Sequence, residues 1–192
     1  MALTRPTPAP GNWTYDDLFG LPDDGKRYEI IDGVLSEMPG ANLDHQTVLR
    51  NLIALLLPVF VALRLEWFFA PLAVFFPGAD PVQPDILAFA PGGRTRGRKR
   101  GIEGPPDLVV EVLSPSNRRH DLLTKRALYA RAGVREDWIV DPEARSIEIL
   151  VLDCGTYRAA DRYAGDARVA SPLLPGASFP AAAAFLGLAD EA

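Results

Sequence analysis

Pro84-Asp85-Ile86-Leu87 and Asp107-Leu108-Val109-Val110-Glu111-Val112-Leu113, joined by a glycine- and arginine-rich loop, are two short apolar segments that each carry an acid with no packing use. Strand side chains alternate between faces, so Asp85 shares a face with Leu87 and Phe89, and Glu111 with Val109 and Leu113. An ionised carboxylate removed from water without a partner is costly enough to neutralise instead, so a cation is expected beside these acids. A divalent metal or a lysine meets that need, and Lys125 follows downstream. Either acid alone reads as a strand-end residue facing solvent or an arginine; together, with Lys125, they read as a site.

Outward from this pair, the chain sorts into the elements of a mixed sheet. Residues 13–19 suggest a short helix capped by Thr14. Residues 28–31 and 34–38 flank Asp32-Gly33, a turn dipeptide suited to positive φ, so a hairpin is expected with Glu29 as a candidate third acid. Asn42 or Asp44 caps a long helix over about 45–65, apolar nearly all round, interrupted by Pro58 and expected in the core. Residues 67–76 read as two short strands split by Ala70-Pro71. After Glu111, Ser114-Pro115-Ser116-Asn117 caps a helix over about 118–132 that Gly133 ends, and that helix start suits a phosphate. A strand at 136–140, a hairpin at 147–152 and 157–163, and a short helix near 180–186 complete the chain. The order implies an α/β fold of the α+β kind, a mixed sheet with helices packed on it. Residues 1–12 read as a flexible lead and 13–192 as a single domain.

A single cysteine, Cys154, excludes an internal disulfide and a cysteine metal cluster, and makes a reducing cytoplasm the expected compartment. The most apolar run, 52–63, contains Pro58 and is flanked by Arg50 and Arg64, so no membrane span is expected. The net charge of −5 argues against a generally basic nucleic-acid binder, yet residues 94–131 hold ten bases against four acids, leaving +6 there and −11 elsewhere. The connection 91–106 is long for a compact domain, so it is expected to be mobile and to meet phosphates through Arg94, Arg96, Arg98, Lys99 and Arg100, with Arg118 adding to them.

Pro84-Asp85 followed by Glu111 in an apolar strand resembles the signature of the PD-(D/E)XK nuclease superfamily. Tyr28-Glu29-Ile30-Ile31-Asp32-Gly33, His45-Gln46, Glu111-Val112-Leu113-Ser114-Pro115-Ser116, Lys125, Tyr129, Gly133-Val134 and Trp138-Ile139-Val140-Asp141-Pro142 resemble one branch, the Uma family of bacterial putative restriction endonucleases. The resemblance spans residues 14–163. It implies a restriction-endonuclease-like core and hydrolysis of DNA phosphodiesters with Mg²⁺ or Mn²⁺, held by Asp85, Glu111 and the Val112 carbonyl. RNA is not separated from DNA, and cutting both strands of a duplex would suit a homodimer.

The sequence departs from the signature where its lysine is replaced by Leu113. The resemblance therefore passes that role to Lys125, which shares a helical stripe with Leu122 and Tyr129; the simpler reading of Lys125 is a surface pair with Asp121. Glu29 matches an extra acid near such sites. His45 reads first as a hydrogen-bonding residue at the helix cap, His120 as a surface residue, and Ser114 and Ser116 as caps. Two other functions are kept: a non-catalytic nucleic-acid-binding or regulatory module on the same fold, and a hydrolase using Asp85 and Glu111 as acid and base, for instance on a glycoside.

Overall fold

The computed structural model describes residues 8–188 except 22, 23, 25, 26, 32, 39–41, 79, 100 and 115–119. In chain order the elements are β1 (Arg27–Ile31), β2 (Val34–Met38), α1 (Leu43–Ala62), β3 (Glu66–Phe69), β4 (Val74–Phe75), β5 (Ile86–Phe89), β6 (Arg96–Arg98), β7 (Gly101–Glu103), β8 (Leu108–Val112), α2 (Arg126–Ala132), β9 (Glu136–Asp141), β10 (Ser146–Asp153) and β11 (Thr156–Ala164). Tyr15–Gly20 and Ala181–Phe185 form 3-10 turns, and a π-helical turn, His120–Lys125, leads into α2.

The main sheet has the order β11-β10-β9-β8-β5-β3 and is mixed, as the sequence implies. Its neighbours run antiparallel except β8 and β9, which are parallel. A parallel pair needs a crossover, which the π turn and α2 supply.

Alternation along the strands divides the core into two layers. Ile86, Ala88, Val110, Trp138 and Val140 face α1 and the C-terminal segment that includes Phe179 and Phe185. Leu87, Phe89 and Val109 face the other way, against Leu128 and Tyr129 of α2 and against Val74, Phe76 and Ile102.

Asn42 caps α1 by accepting a hydrogen bond from the His45 amide at 2.8 Å. Val48, Leu52, Leu56 and Phe60, four residues apart, form its buried stripe. The expectation that α1 lies wholly in the core is corrected: Leu43, Leu57 and Val61 are exposed, because only one face of the helix meets the sheet. Pro58 and Ala54 both lie on the exposed face of the helix, so the Ala54 carbonyl that a proline cannot satisfy belongs to a residue at the surface. By length and composition this 20-residue helix would pass for a membrane span, but its inner stripe is packed on the sheet.

The arginine-rich connection, read as a loop, instead carries two strands of a small sheet of order β4-β7-β6. Ile102 and Thr95 are buried, which anchors the hairpin while Arg94, Arg96, Arg98 and Lys99 stay outside. At Gly101 a Cβ would lie 2.3 Å from the Ala73 carbonyl oxygen, so β7 reaches the backbone before β4 only because it lacks a side chain there. The expected first hairpin forms from β1 and β2, with Gly33 at φ 71 and Asp32 outside the described residues. The Gly33 amide donates to Asp80 Oδ2 at 2.8 Å. Of the expected N-terminal lead, residues 8–12 are described, and Gly11 packs on Gly33.

Candidate active site

Asp85 stands one residue before β5, and Glu111 is the penultimate residue of β8. The strands pair with Ile86 opposite Val110, so one further step sets Asp85 across from Glu111. Apolar neighbours in both layers fix that register, since a slip of one residue would turn Leu87 and Val109 out of their core.

Each carboxylate is held from a different layer. Asp85 Oδ2 accepts the Val112 amide at 2.8 Å and lies 3.1 Å from His45 Nε2, at the N-terminal end of α1. A carboxylate only accepts, so His45 carries its proton on Nε2; its Nδ1 is buried without a hydrogen-bond partner among the described residues. Asp85 Oδ1 has no hydrogen bond to any described residue. Glu111 reaches toward α2 instead. Its Oε1 accepts the Tyr129 hydroxyl at 2.5 Å, and its Oε2 lies 3.3 Å from Lys125 Nζ. Glu111 and Lys125 are each 2% exposed, so each offsets the other's charge in a place with little water to do so.

Among the described residues no three His, Cys, Asp or Glu side chains gather as a metal cluster. The donors at the strand ends still suit Mg²⁺ or Mn²⁺: both are hard oxygens, one Asp85 oxygen takes no hydrogen bond from any described residue, and Mg²⁺ commonly takes one or two carboxylates and completes its shell with water. Val112, whose carbonyl was expected as a third donor, supplies its amide to Asp85.

None of the other expected residues makes a described contact with Asp85 or Glu111, and several fall outside the described residues. Glu29 belongs to the separate β1-β2 sheet, and its side chain is outside the described residues. Arg100 and Arg118 are outside them too, as are the proposed caps Ser116 and Asn117. Arg94, Arg96, Arg98 and Lys99 are exposed, on the connection that leaves β5 at the end away from Asp85, where the Ala90 amide meets Asp107 Oδ2 at 2.9 Å. β5 separates the two ends by ~13 Å at ~3.3 Å per residue. Arg94 donates to the Gly133 carbonyl after α2, and Arg98 pairs with Glu103, each at 2.8 Å.

Two other polar groups in the core are structural. The buried Glu136 carboxylate accepts the Trp138 indole N–H at 2.6 Å and the Leu173 amide at 3.0 Å, tying the C-terminal segment to β9. The Tyr157 hydroxyl donates to the Val134 carbonyl at 2.9 Å, and burial, reinforced by the Asp137 charge, holds its pKa well above the usual phenol range.

With this geometry in hand, comparison with known proteins is informative. A model of the Uma2 family, described as "Putative restriction endonuclease", matches residues 15–183. No curated protein matches the sequence. Among solved structures, a putative nuclease from Anabaena variabilis superposes with a TM-score of 0.72 at 19% identity, over 90% of this chain and 97% of that one. At that identity the likeness establishes the fold.

Proposed function

The chain belongs to the Uma2 family of putative restriction endonucleases, and on that premise we propose that it is a metal-dependent endonuclease hydrolysing phosphodiester bonds of DNA. The observation that carries this reading is the buried pair of Lys125 with Glu111 at the strand end next to Asp85. A helix thereby supplies the ammonium that Leu113 cannot.

Asp85 and Glu111, with the Val112 carbonyl, are the residues that would hold Mg²⁺ or Mn²⁺. Such an ion, when bound, acts as a Lewis acid and lowers the pKa of its water. The Val112 amide and His45 fix one oxygen of Asp85 and leave the other for a cation. The Tyr129 hydroxyl keeps the Glu111 carboxylate from rotating. Lys125 orients the attacking water and offsets charge building on the phosphate, a preorganised term worth several kcal/mol in such sites. Exclusion of solvent strengthens these attractions. Substrate approaches from the Asp85 side, where the carboxylate is 16% exposed.

Supercoiled plasmid incubated with Mg²⁺, with Mn²⁺ or with chelator tests the proposal on wild type and Asp85→Ala. Nicking or linearisation is expected only for wild type with metal. Cleavage that survives chelation or the substitution would overturn the assignment. One observation favours a non-catalytic nucleic-acid-binding module: Leu113 is buried with Ile139 and Leu150, so this strand has no lysine of its own. Plasmid retained but never cut in the same assay would assign that role.

A further inference from the structure

A groove of about 350 Å³ opens beside Asp85, walled by His45, Gln46, Arg50 and Ile53 of α1, by Phe69 at the end of β3 and by Pro71 beyond it. Phe69 ends an aromatic ladder. Its ring lies 6.2 Å from Trp67, and Trp67 lies 5.9 Å from Phe60 in the core. Backed in this way on one side, Phe69 is still 52% exposed. A single exposed phenylalanine needs no explanation, but this one shares its groove with an arginine whose guanidinium is hydrogen-bonded to the next residue. Arg50 Nε and Nη2 donate to Asn51 Oδ1 at 3.3 and 3.1 Å. The Asn51 amide in turn donates to the Ala184 and Leu186 carbonyls at 3.1 and 2.8 Å. Arg50 Nη1 has no hydrogen bond to any described residue.

Resting on the nuclease reading, we propose that this groove is a subsite for one unpaired nucleotide of a DNA strand, next to the phosphate at Asp85. Its base stacks on Phe69 and its phosphate meets Arg50. Stacking on an aromatic ring beside a basic rim is how single strands are held. A base inside a duplex has both faces covered by its neighbours, so it reaches Phe69 only by leaving the stack. The groove thus selects single strands, flaps and gaps over intact duplex.

The probe is an oligodeoxynucleotide carrying 2-aminopurine, single-stranded or annealed, titrated with the protein in chelator so that nothing is cut. Wild type is expected to quench the single-stranded probe and to prefer it to the duplex. Phe69→Ala should lose the quench and about tenfold of single-strand affinity with duplex binding unchanged, while Phe69→Tyr keeps both. Arg50→Gln should weaken single-strand binding and lower its salt dependence. Wild-type affinity and quench in Phe69→Ala, or equal binding of duplex, would overturn the subsite. Plasmid cleavage by the same preparations separates the two readings. Cleavage together with unchanged binding by Phe69→Ala defeats the subsite alone, whereas wild type that neither cuts nor binds DNA defeats the nuclease reading and the subsite with it.

Discussion

Lys125 and Glu111 illustrate what a buried charge pair implies for each member. Removing one leaves the other ionised away from water, which costs about 3–5 kcal/mol, whereas replacing both with apolar or neutral groups is often near neutral. Lys125→Ala is therefore expected to lower urea-unfolding stability by that amount, and Lys125→Met with Glu111→Gln to recover most of it; a loss near zero for the single variant would mean the pair is not buried in solution. Tyr157 gives a second expectation. Its pKa is raised on folding, so its stabilising contribution is complete below the free phenol value of about 10 and is lost as pH climbs above it. Tyr157→Phe should cost about 1 kcal/mol at neutral pH for the lost hydrogen bond to Val134, and should flatten the decline of Tm above pH 10. At this scale Asp85, Glu111 and Lys125 were legible because charged residues interrupt apolar periodicity. The hold of His45 on Asp85 was not, since nothing in a sequence says which strand end a helix cap will touch. Tyr129 was half legible: its spacing of four from Lys125 sets it on the same stripe, but its bond to Glu111 depends on how α2 is docked.

Among the elements, strands and hairpins were read well where alternation and turn residues agree, as for β1-β2 and for β10-β11 with Cys154 and Gly155 at positive φ. The reading failed for the arginine-rich connection. Its pairing with β4 is a long-range contact won by two residues, Gly101 and Ile102, whereas its charge run suggested only solvation. The structure also sorts its arginines. Arg94→Ala removes the hydrogen bond to the carbonyl after α2 and should cost about 1 kcal/mol of stability by urea titration. Arg96 and Lys99 carry no such duty, so the double variant Arg96→Gln/Lys99→Gln should fold normally. If the hairpin meets duplex phosphates, that variant should lower the salt slope of DNA binding by ~0.9 per lost contact; an unchanged slope would leave the hairpin to a structural role. The expected helix before Gly133 is α-helical only from Arg126, preceded by a π turn, a widening that spacing of apolar residues does not reveal.

For the molecule as a whole, fold class followed from the order of elements, while the placement of Asp85 across from Glu111 followed only from antiparallel pairing of β5 with β8. The ammonium at the candidate centre lies fourteen residues from its glutamate and arrives on a crossover. Had Leu113 been the lysine, one strand would carry most of the cutting apparatus as soon as it was made. Here that apparatus exists only after β9 has aligned with β8 and α2 has closed over Glu111, contacts that are distant in sequence and costly to form early. A chain still emerging from the ribosome, or cut short before β9, carries the acids without their lysine in place. On the proposed nuclease reading, turnover therefore begins only once this crossover has closed over Glu111.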